Sequence, residues 1–252
     1  MSTKIYWFSA TGNSLTTAKM LAEHLEDCTL APAAAARRQD KVIEDADAVG
    51  FVFPVYYGNM PWPVREAISK MVFKPDTYVF IVTTWRGHAG AVAQRMDQLL
   101  RTRGVKLSLS LGVPMPGNSF INPPEKDAAY LAAQRENVEA LIAPIRDRQV
   151  QDYSTTDVLP MTPIDYPNNF RGIMSDEWDC FGCGTCVRVC PMENIRLEGG
   201  QAVIGDNCAT CLACFHWCPV QAIWMSKQAG IERRAKYRHP DVTMQEIVDQ
   251  KG

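Results

Sequence analysis

Apolar positions in the first 150 residues switch repeatedly between short continuous runs and helix-spaced stripes. Lys4 to Phe8 reads as a strand, and Asn13 to Glu26 carries Leu15, Ala18, Met20, Leu21, Ala22 and Leu25 at helical spacing. A weak strand near Thr29 to Pro32 and a short helix near Asp40 to Ala46 lead into Val49 to Val55, apolar enough for the middle of a sheet. The pattern continues with a helix over Pro63 to Phe73, a strand over Tyr78 to Thr84, a helix over Ala89 to Arg103 stopped by Gly104, and a strand over Lys106 to Val113. A long helix over Pro124 to Arg148 closes the set. Strands alternating with helices predict an α/β fold, a doubly wound five-stranded parallel sheet over residues 1–150.

Beyond this point the periodicity fades. Residues 151–175 contain Pro160, Pro163 and Pro167 and read as a linker, 176–226 as a small second module, and 227–252 as a polar C-terminal tail, basic around Arg233, Arg234, Lys236 and Arg238. A last helix is expected at Val242 to Gln250. With 252 residues, 46% of them hydrophobic, the chain can build one sizeable core and carry a small appendage. Its net charge of -2 argues against nucleic acid as a partner. The longest apolar stretch, Ala48 to Tyr57, is interrupted by Pro54 and too short to span a bilayer. Met1 to Tyr6 runs straight into a strand pattern without a signal peptide, so a cytoplasmic location is expected.

The second module changes the picture. It writes CxxCxxCxxxCP twice, as Cys180, Cys183, Cys186, Cys190, Pro191 and as Cys208, Cys211, Cys214, Cys218, Pro219, each residue recurring 28 positions later. Three thiolates spaced three residues apart on a tight loop can wrap three corners of a cubic 4Fe-4S cluster, and the fourth corner needs a more distant ligand. In two-cluster arrangements the last Cys of each run serves the other cluster. That assigns Cys180, Cys183, Cys186 and Cys218 to one cluster and Cys208, Cys211, Cys214 and Cys190 to the other. Zinc knuckles take four ligands as paired CxxC and leave the third Cys without a role, and a disulfide framework needs an oxidising compartment. The module is too small to fold well alone, so the thiolates should also staple it.

Between the first strand and the first helix lies Ser9-Ala10-Thr11-Gly12-Asn13-Ser14. Hydroxyls at Ser9, Thr11 and Ser14 can donate to phosphate oxygens, Gly12 permits a tight turn, and amides at the helix start suit an anion. A polar turn with a helix cap is the plainer reading of the same residues. No GxGxxG follows the first strand, so a nicotinamide domain is not indicated.

This loop resembles the phosphate loop of flavodoxins, and with the cysteine repeat the chain resembles the ferredoxin-flavodoxin fusion proteins of anaerobic bacteria over nearly its whole length. Tyr237-Arg238-His239-Pro240 is also similar to that family. The resemblance implies FMN beside two 4Fe-4S clusters, with two further loops at the flavin ring. These carry Pro54, Val55, Tyr56, Tyr57, Gly58 and Asn59 after the third strand, and Thr84, Trp85, Arg86, Gly87, His88 and Gly90 after the fourth. Tyr56, Tyr57 and Trp85 are candidate stacking partners. None of the three loops is acidic, whereas Arg86 and His88 are cations or potential cations that would stabilise a reduced, anionic flavin.

The expected function is electron transfer between the clusters and FMN, as a relay between redox protein partners, with no acid, base or nucleophile assigned. An FMN-dependent reductase of a small oxidised substrate is the alternative, with a redox sensor as a third class. Cys28 is expected to be a small buried side chain, Trp217 and Trp224 to shield a cluster, Trp178 to pack at the module boundary, and His216 to be packed or to tune a cluster.

Overall fold

A computed structural model describes residues 2–119, 123–157, 173–225 and 236–252. The N-terminal part runs β1 (Thr3–Trp7), α1 (Asn13–His24), β2 (Cys28–Pro32), one-turn α2 (Ala33–Ala36), β3 (Val42–Glu44), β4 (Ala48–Pro54), α3 (Trp62–Lys70), β5 (Met71–Phe73), β6 (Tyr78–Trp85), α4 (Val92–Arg101), β7 (Leu109–Pro114) and α5 (Pro124–Arg146). β1, β2, β4, β6 and β7 form one parallel sheet in the order β2-β1-β4-β6-β7. This is the flavodoxin-like order, in which the chain reverses direction across the sheet between β1 and β4.

Burial on both faces explains the continuous apolar runs. Residues Ala48 to Phe53 of β4 and Tyr78 to Thr84 of β6 are all buried, because helices cover both sides of the sheet. Gly50 lies under the Phe80 ring, where a Cβ would come within 2.3 Å of ring carbon.

Two elements differ from expectation. The segment Asp40 to Ala46 is not a helix: Val42 and Glu44 are buried while Ile43 faces out, a two-residue period, and β3 pairs in parallel with β5. The same pairing takes Met71 to Phe73 away from the helix expected over Pro63 to Phe73, which ends at Lys70. A pattern of three residues is too short to separate the two periods without its partner strand.

The C-terminal part contains β8 (Ile173–Ser175), α6 (Thr185–Val189), β9 (Ile195–Glu198), β10 (Gln201–Ile204), α7 (Ala213–Trp217), β11 (Ile223–Met225) and α8 (Met244–Asp249). β8 pairs antiparallel with β11, β9 with β10, and α6 packs on α7. The cysteine repeat is also a backbone repeat. Left-handed φ values occur at Gly182 (72°) and Thr210 (52°), Gly184 (72°) and Leu212 (63°), and Glu193 (53°) and Gln221 (60°), each pair 28 residues apart.

A small core around Ile173, Ile195, Phe215 and Ile223 serves this module, but Val189, Cys211, Ala213 and Trp217 belong to the large core of the sheet domain. The end of the chain is not a free polar tail: Val242 and Ile247 are buried in the large core, and α8 opens with a capping box between Thr243 and Glu246. Much of the expected linker and the basic residues Arg233 and Arg234 lie outside the described residues. Described linker residues follow the sheet edge, with Tyr153 Oη accepting from Ser110 N–H at 2.7 Å. Among the described residues no helix is long and apolar enough to cross a membrane.

Candidate functional site

The loops that follow β1, β4, β6 and β7 converge at the carboxyl ends of the strands, where open α/β sheets bind ligands. They enclose a cavity of about 370 Å³. Small-molecule sites fall in this size range, roughly 300–1,000 Å³.

At the β1 end, Gly12 has φ 106° and caps α1. The first backbone bond of the helix runs from Thr16 N–H to Gly12 O at 2.9 Å, leaving the amides of Asn13, Ser14 and Leu15 without an intrahelical acceptor. These three residues are buried, so an anion is the natural partner for their amides. Ser14 Oγ lies 2.8 Å from Thr84 Oγ1, which joins the loops after β1 and β6. Ser9 Oγ accepts from Gly12 N–H at 3.0 Å and so shapes the turn. The Asn13 side chain is committed to the protein: its amide donates to Pro116 O at 2.9 Å, and its carbonyl accepts from Tyr237 Oη–H at 2.5 Å.

Of the residues expected at a flavin, Ser9, Thr11, Asn13, Ser14, Pro54, Val55, Tyr56, Tyr57, Gly58, Thr84, Trp85, Arg86, Gly87 and His88 line this cavity. Gly12, Asn59 and Gly90 do not, and their positions explain why. Gly12 backs onto His239 and Val242, Asn59 is buried and pairs its backbone with Tyr56, and Gly90 lies against the backbone of Gly58, where a Cβ would sit 2.7 Å from the Gly58 Cα. Arg95 donates to Gly58 O at 2.6 Å, fixing the turn in which Tyr57 takes φ 54°. Tyr56 is buried, Tyr57 is 40% exposed, and Trp85 packs over Gly112. The described lining holds no carboxylate, and Arg86 and His88 stand at its wall.

Sequence reasoning missed Ala10 and the loop after β7, which contributes Met115, Pro116, Gly117, Asn118 and Ser119. The signal was available: this loop too leaves the carboxyl end of a sheet strand, and Pro116-Gly117-Asn118-Ser119 is turn chemistry.

Two smaller cavities lie in the C-terminal module. One is lined by Cys180, Cys183, Cys186 and Cys218, the other by Cys190, Cys208, Cys211 and Cys214. Three cysteines of each set come from one run and the fourth from the other. The packed helix pair is responsible, since α6 runs from Cys186 towards Cys190 and α7 from Cys214 to Cys218, so each helix links the two cavities. Burial, with the neighbouring thiols Cys180, Cys183 and Cys218, pushes Cys186 up to about 11. Burial likewise holds Cys211 and Cys214 well above the ordinary thiol range, reinforced by the other cysteines of their cavity. Gathering thiolates in such cavities is unfavourable unless cationic metal compensates them, so the donor sets fit iron-sulfur clusters.

The cavity of Cys190, Cys208, Cys211 and Cys214 is joined to the flavin-type cavity through one lining residue of each, Cys211 and Asn118. Asn118 Nδ2 donates to Cys211 O at 2.9 Å and to Tyr56 Oη at 3.3 Å. His216, fully buried, accepts at Nδ1 from Tyr237 N–H (3.0 Å), which leaves the proton on Nε2 to reach Asn118 O at 2.8 Å. Trp217 Nε1–H donates to Ala10 O at 2.9 Å. Trp217 therefore seals the module boundary, whereas Trp178 is 89% exposed and does not pack there. The other cluster cavity faces outward, walled by Phe181, Leu197 and Val220, all exposed. Cys28 is half-buried on β2, and burial beside Asp27 pushes its thiol up to about 11.

Residues 172–219 match the family model described as 4Fe-4S dicluster domain. A ferredoxin of Pyrobaculum islandicum is 32% identical over 69 residues, 27% of this chain and 64% of that protein, so the chain spans less than two thirds of this relative. A ferredoxin of Methanothermococcus thermolithotrophicus is 40% identical over 43 residues, 16% of this chain and 72% of that protein. Among solved structures, an azoreductase of Bacillus anthracis str. Sterne shares 11% identity over 56% of this chain and 99% of its own, with a TM-score of 0.41. The flavodoxin of Streptococcus pneumonia TIGR4 shares 17% over 56% and 99%, with a TM-score of 0.36. At these scores the likeness adds nothing to the strand order, which by itself defines the sheet domain. The N-terminal half of the chain is flavodoxin-like in fold, and through its C-terminal dicluster module the chain belongs to the ferredoxin family.

Proposed function

We propose that this protein transfers electrons between two 4Fe-4S clusters and FMN, relaying them between redox protein partners. One cluster is held by Cys180, Cys183, Cys186 and Cys218, the other by Cys190, Cys208, Cys211 and Cys214, and FMN by the cavity over the sheet. Each cluster supplies one-electron exchange, and FMN can take one electron or two. The observation that carries the reading is the double contact of Asn118, whose amide reaches both the Cys211 carbonyl and the Tyr56 hydroxyl that lines the flavin cavity. It supports the second cysteine set as the side facing FMN and the outward Cys180 side as the port for a partner.

The protein's own residues position, neutralise and exclude water. Amides at the start of α1 suit the phosphate. Arg86 and His88 oppose charge that builds on the ring, and the buried Met192, Ile195 and Leu212 line the inner cysteine set and keep water from it. A reducing cytoplasm suits eight cysteines kept out of disulfides.

The test is anaerobic redox titration of reconstituted protein, followed by optical and EPR signals together with an iron assay. About eight irons and one FMN per chain are expected. Clusters and flavin that titrate but never exchange electrons after rapid mixing with a reductant would sink the relay. Turnover of one small oxidised substrate without exchange with redox proteins would favour a reductase instead.

A further inference from the structure

The C-terminal segment touches Ser9, Thr11, Gly12 and Asn13 of the phosphate-type loop, although more than 220 positions separate them in sequence. Tyr237 Oη–H donates to Asn13 Oδ1 at 2.5 Å, and His239 N–H donates to Thr11 O at 2.7 Å. Gln250 Oε1 accepts from Ser9 N–H at 3.4 Å. A Cβ on Gly12 would stand 2.8 Å from the His239 Cβ and 2.9 Å from Val242, so the segment fills the space behind the loop.

None of these C-terminal residues lines the flavin-type cavity, so they act through the loop. Their effect on it is specific. The Thr11 carbonyl, engaged by His239, cannot turn into the cavity, where its negative end would meet a phosphate. Asn13, held between Pro116 and Tyr237, fixes the first residue of α1 and with it the direction of the free amides.

The segment is itself anchored on three sides. His239 Nε2 lies 2.7 Å from Gln134 Oε1 on α5, Lys19 on α1 pairs with Glu246, and Tyr237 N–H donates to His216 on α7. Arg238 lies over the Trp217 ring at 5.2 Å. The last of these anchors belong to the cluster module.

We propose that residues 236–252 form a buttress for the phosphate-binding loop, so that affinity for a flavin phosphate is set by the C-terminal end of the chain. The inference rests on the FMN reading above. Because the cavity-lining residues the buttress bonds to, Ser9, Thr11 and Asn13, all belong to the loop, removing its contacts should weaken the ligand that carries a phosphate and spare the one that lacks it.

The experiment is a fluorescence titration of flavin-free full-length protein with FMN and, separately, with riboflavin. Wild type, Tyr237→Phe, Gln250→Ala and a chain stopped after residue 235 are compared. Loss of the Tyr237 hydroxyl should weaken FMN about fivefold, the effect of one hydrogen bond, and leave riboflavin unchanged. The shortened chain should lose its preference for FMN over riboflavin. If the shortened chain does not fold, the two point variants carry the test alone. FMN binding that is unchanged in the variants, or a loss equal for FMN and riboflavin, overturns the buttress and leaves the FMN reading standing. A wild-type protein that takes up no FMN overturns both.

Discussion

Replacing Asn118 with Ala removes the side chain that spans the two modules while leaving its backbone in place. The magnitude follows from the contacts. The amide donates a well-formed bond to the Cys211 carbonyl at 2.9 Å and a long one to Tyr56 at 3.3 Å, while the His216 contact uses the main-chain carbonyl and survives. Cys211 is buried, so its carbonyl would be left without this partner. One such loss costs about 1–3 kcal/mol. The 3.3 Å bond to Tyr56 adds little, so a double-mutant cycle with Tyr56→Phe should give a coupling below about 0.5 kcal/mol. Anaerobic urea unfolding of the loaded protein, read by cluster absorbance and flavin fluorescence in parallel, measures both quantities. The cluster signal should be lost at lower urea in Asn118→Ala, with slower cluster-to-flavin electron exchange. Wild-type midpoints together with a wild-type exchange rate would refute the idea that this contact couples the modules.

Cys190→Ala should cut iron from about eight to about four per chain and spare the cluster held by Cys180, Cys183, Cys186 and Cys218, whereas Cys28→Ala should change neither; iron assay and EPR decide. The Lys19 ammonium and the Thr243 cap hold the Glu246 carboxyl down from 4.5 to about 2. A depressed acid stabilises the fold fully above its unfolded value and loses that contribution as pH falls, so acid unfolding of wild type should include a component between about pH 4.5 and 2 that Glu246→Gln lacks. Gln221, exposed at φ 60°, occupies a conformation that favours glycine. Gln221→Gly should therefore raise stability by about 1 kcal/mol in chemical unfolding, and a loss of stability would contradict the strain argument.

Several features were legible in the residues alone because each is local. Continuous apolar runs such as Val49 to Phe53 and Val79 to Val82 announce strands buried on both faces, and the 28-residue cysteine repeat announces an iron-sulfur module through a spacing that zinc knuckles do not share. The Ser9 to Ser14 loop is local too, lying in one turn between a strand and a helix. Local patterns failed where pairing decided the outcome: Val42 to Glu44 and Met71 to Phe73 are strands only because each has the other.

What the tertiary structure decided depends on residues far apart in the chain. The packing of α6 against α7 sets which four cysteines share a cavity, and the convergence of the loops after β4 and β7 with the C-terminal module brings Asn118 to both Tyr56 and Cys211. Residues 227–252 read as a polar tail because their apolar members are few, yet Val242 and Ile247 find a place in the large core and Tyr237 and His239 find the phosphate-type loop. A single buried side chain or one hydrogen bond leaves no periodic trace in sequence. Its contribution exists only once the partner surface has formed, which is why the cysteines could be read from the chain and the residues that join them to the sheet domain could not.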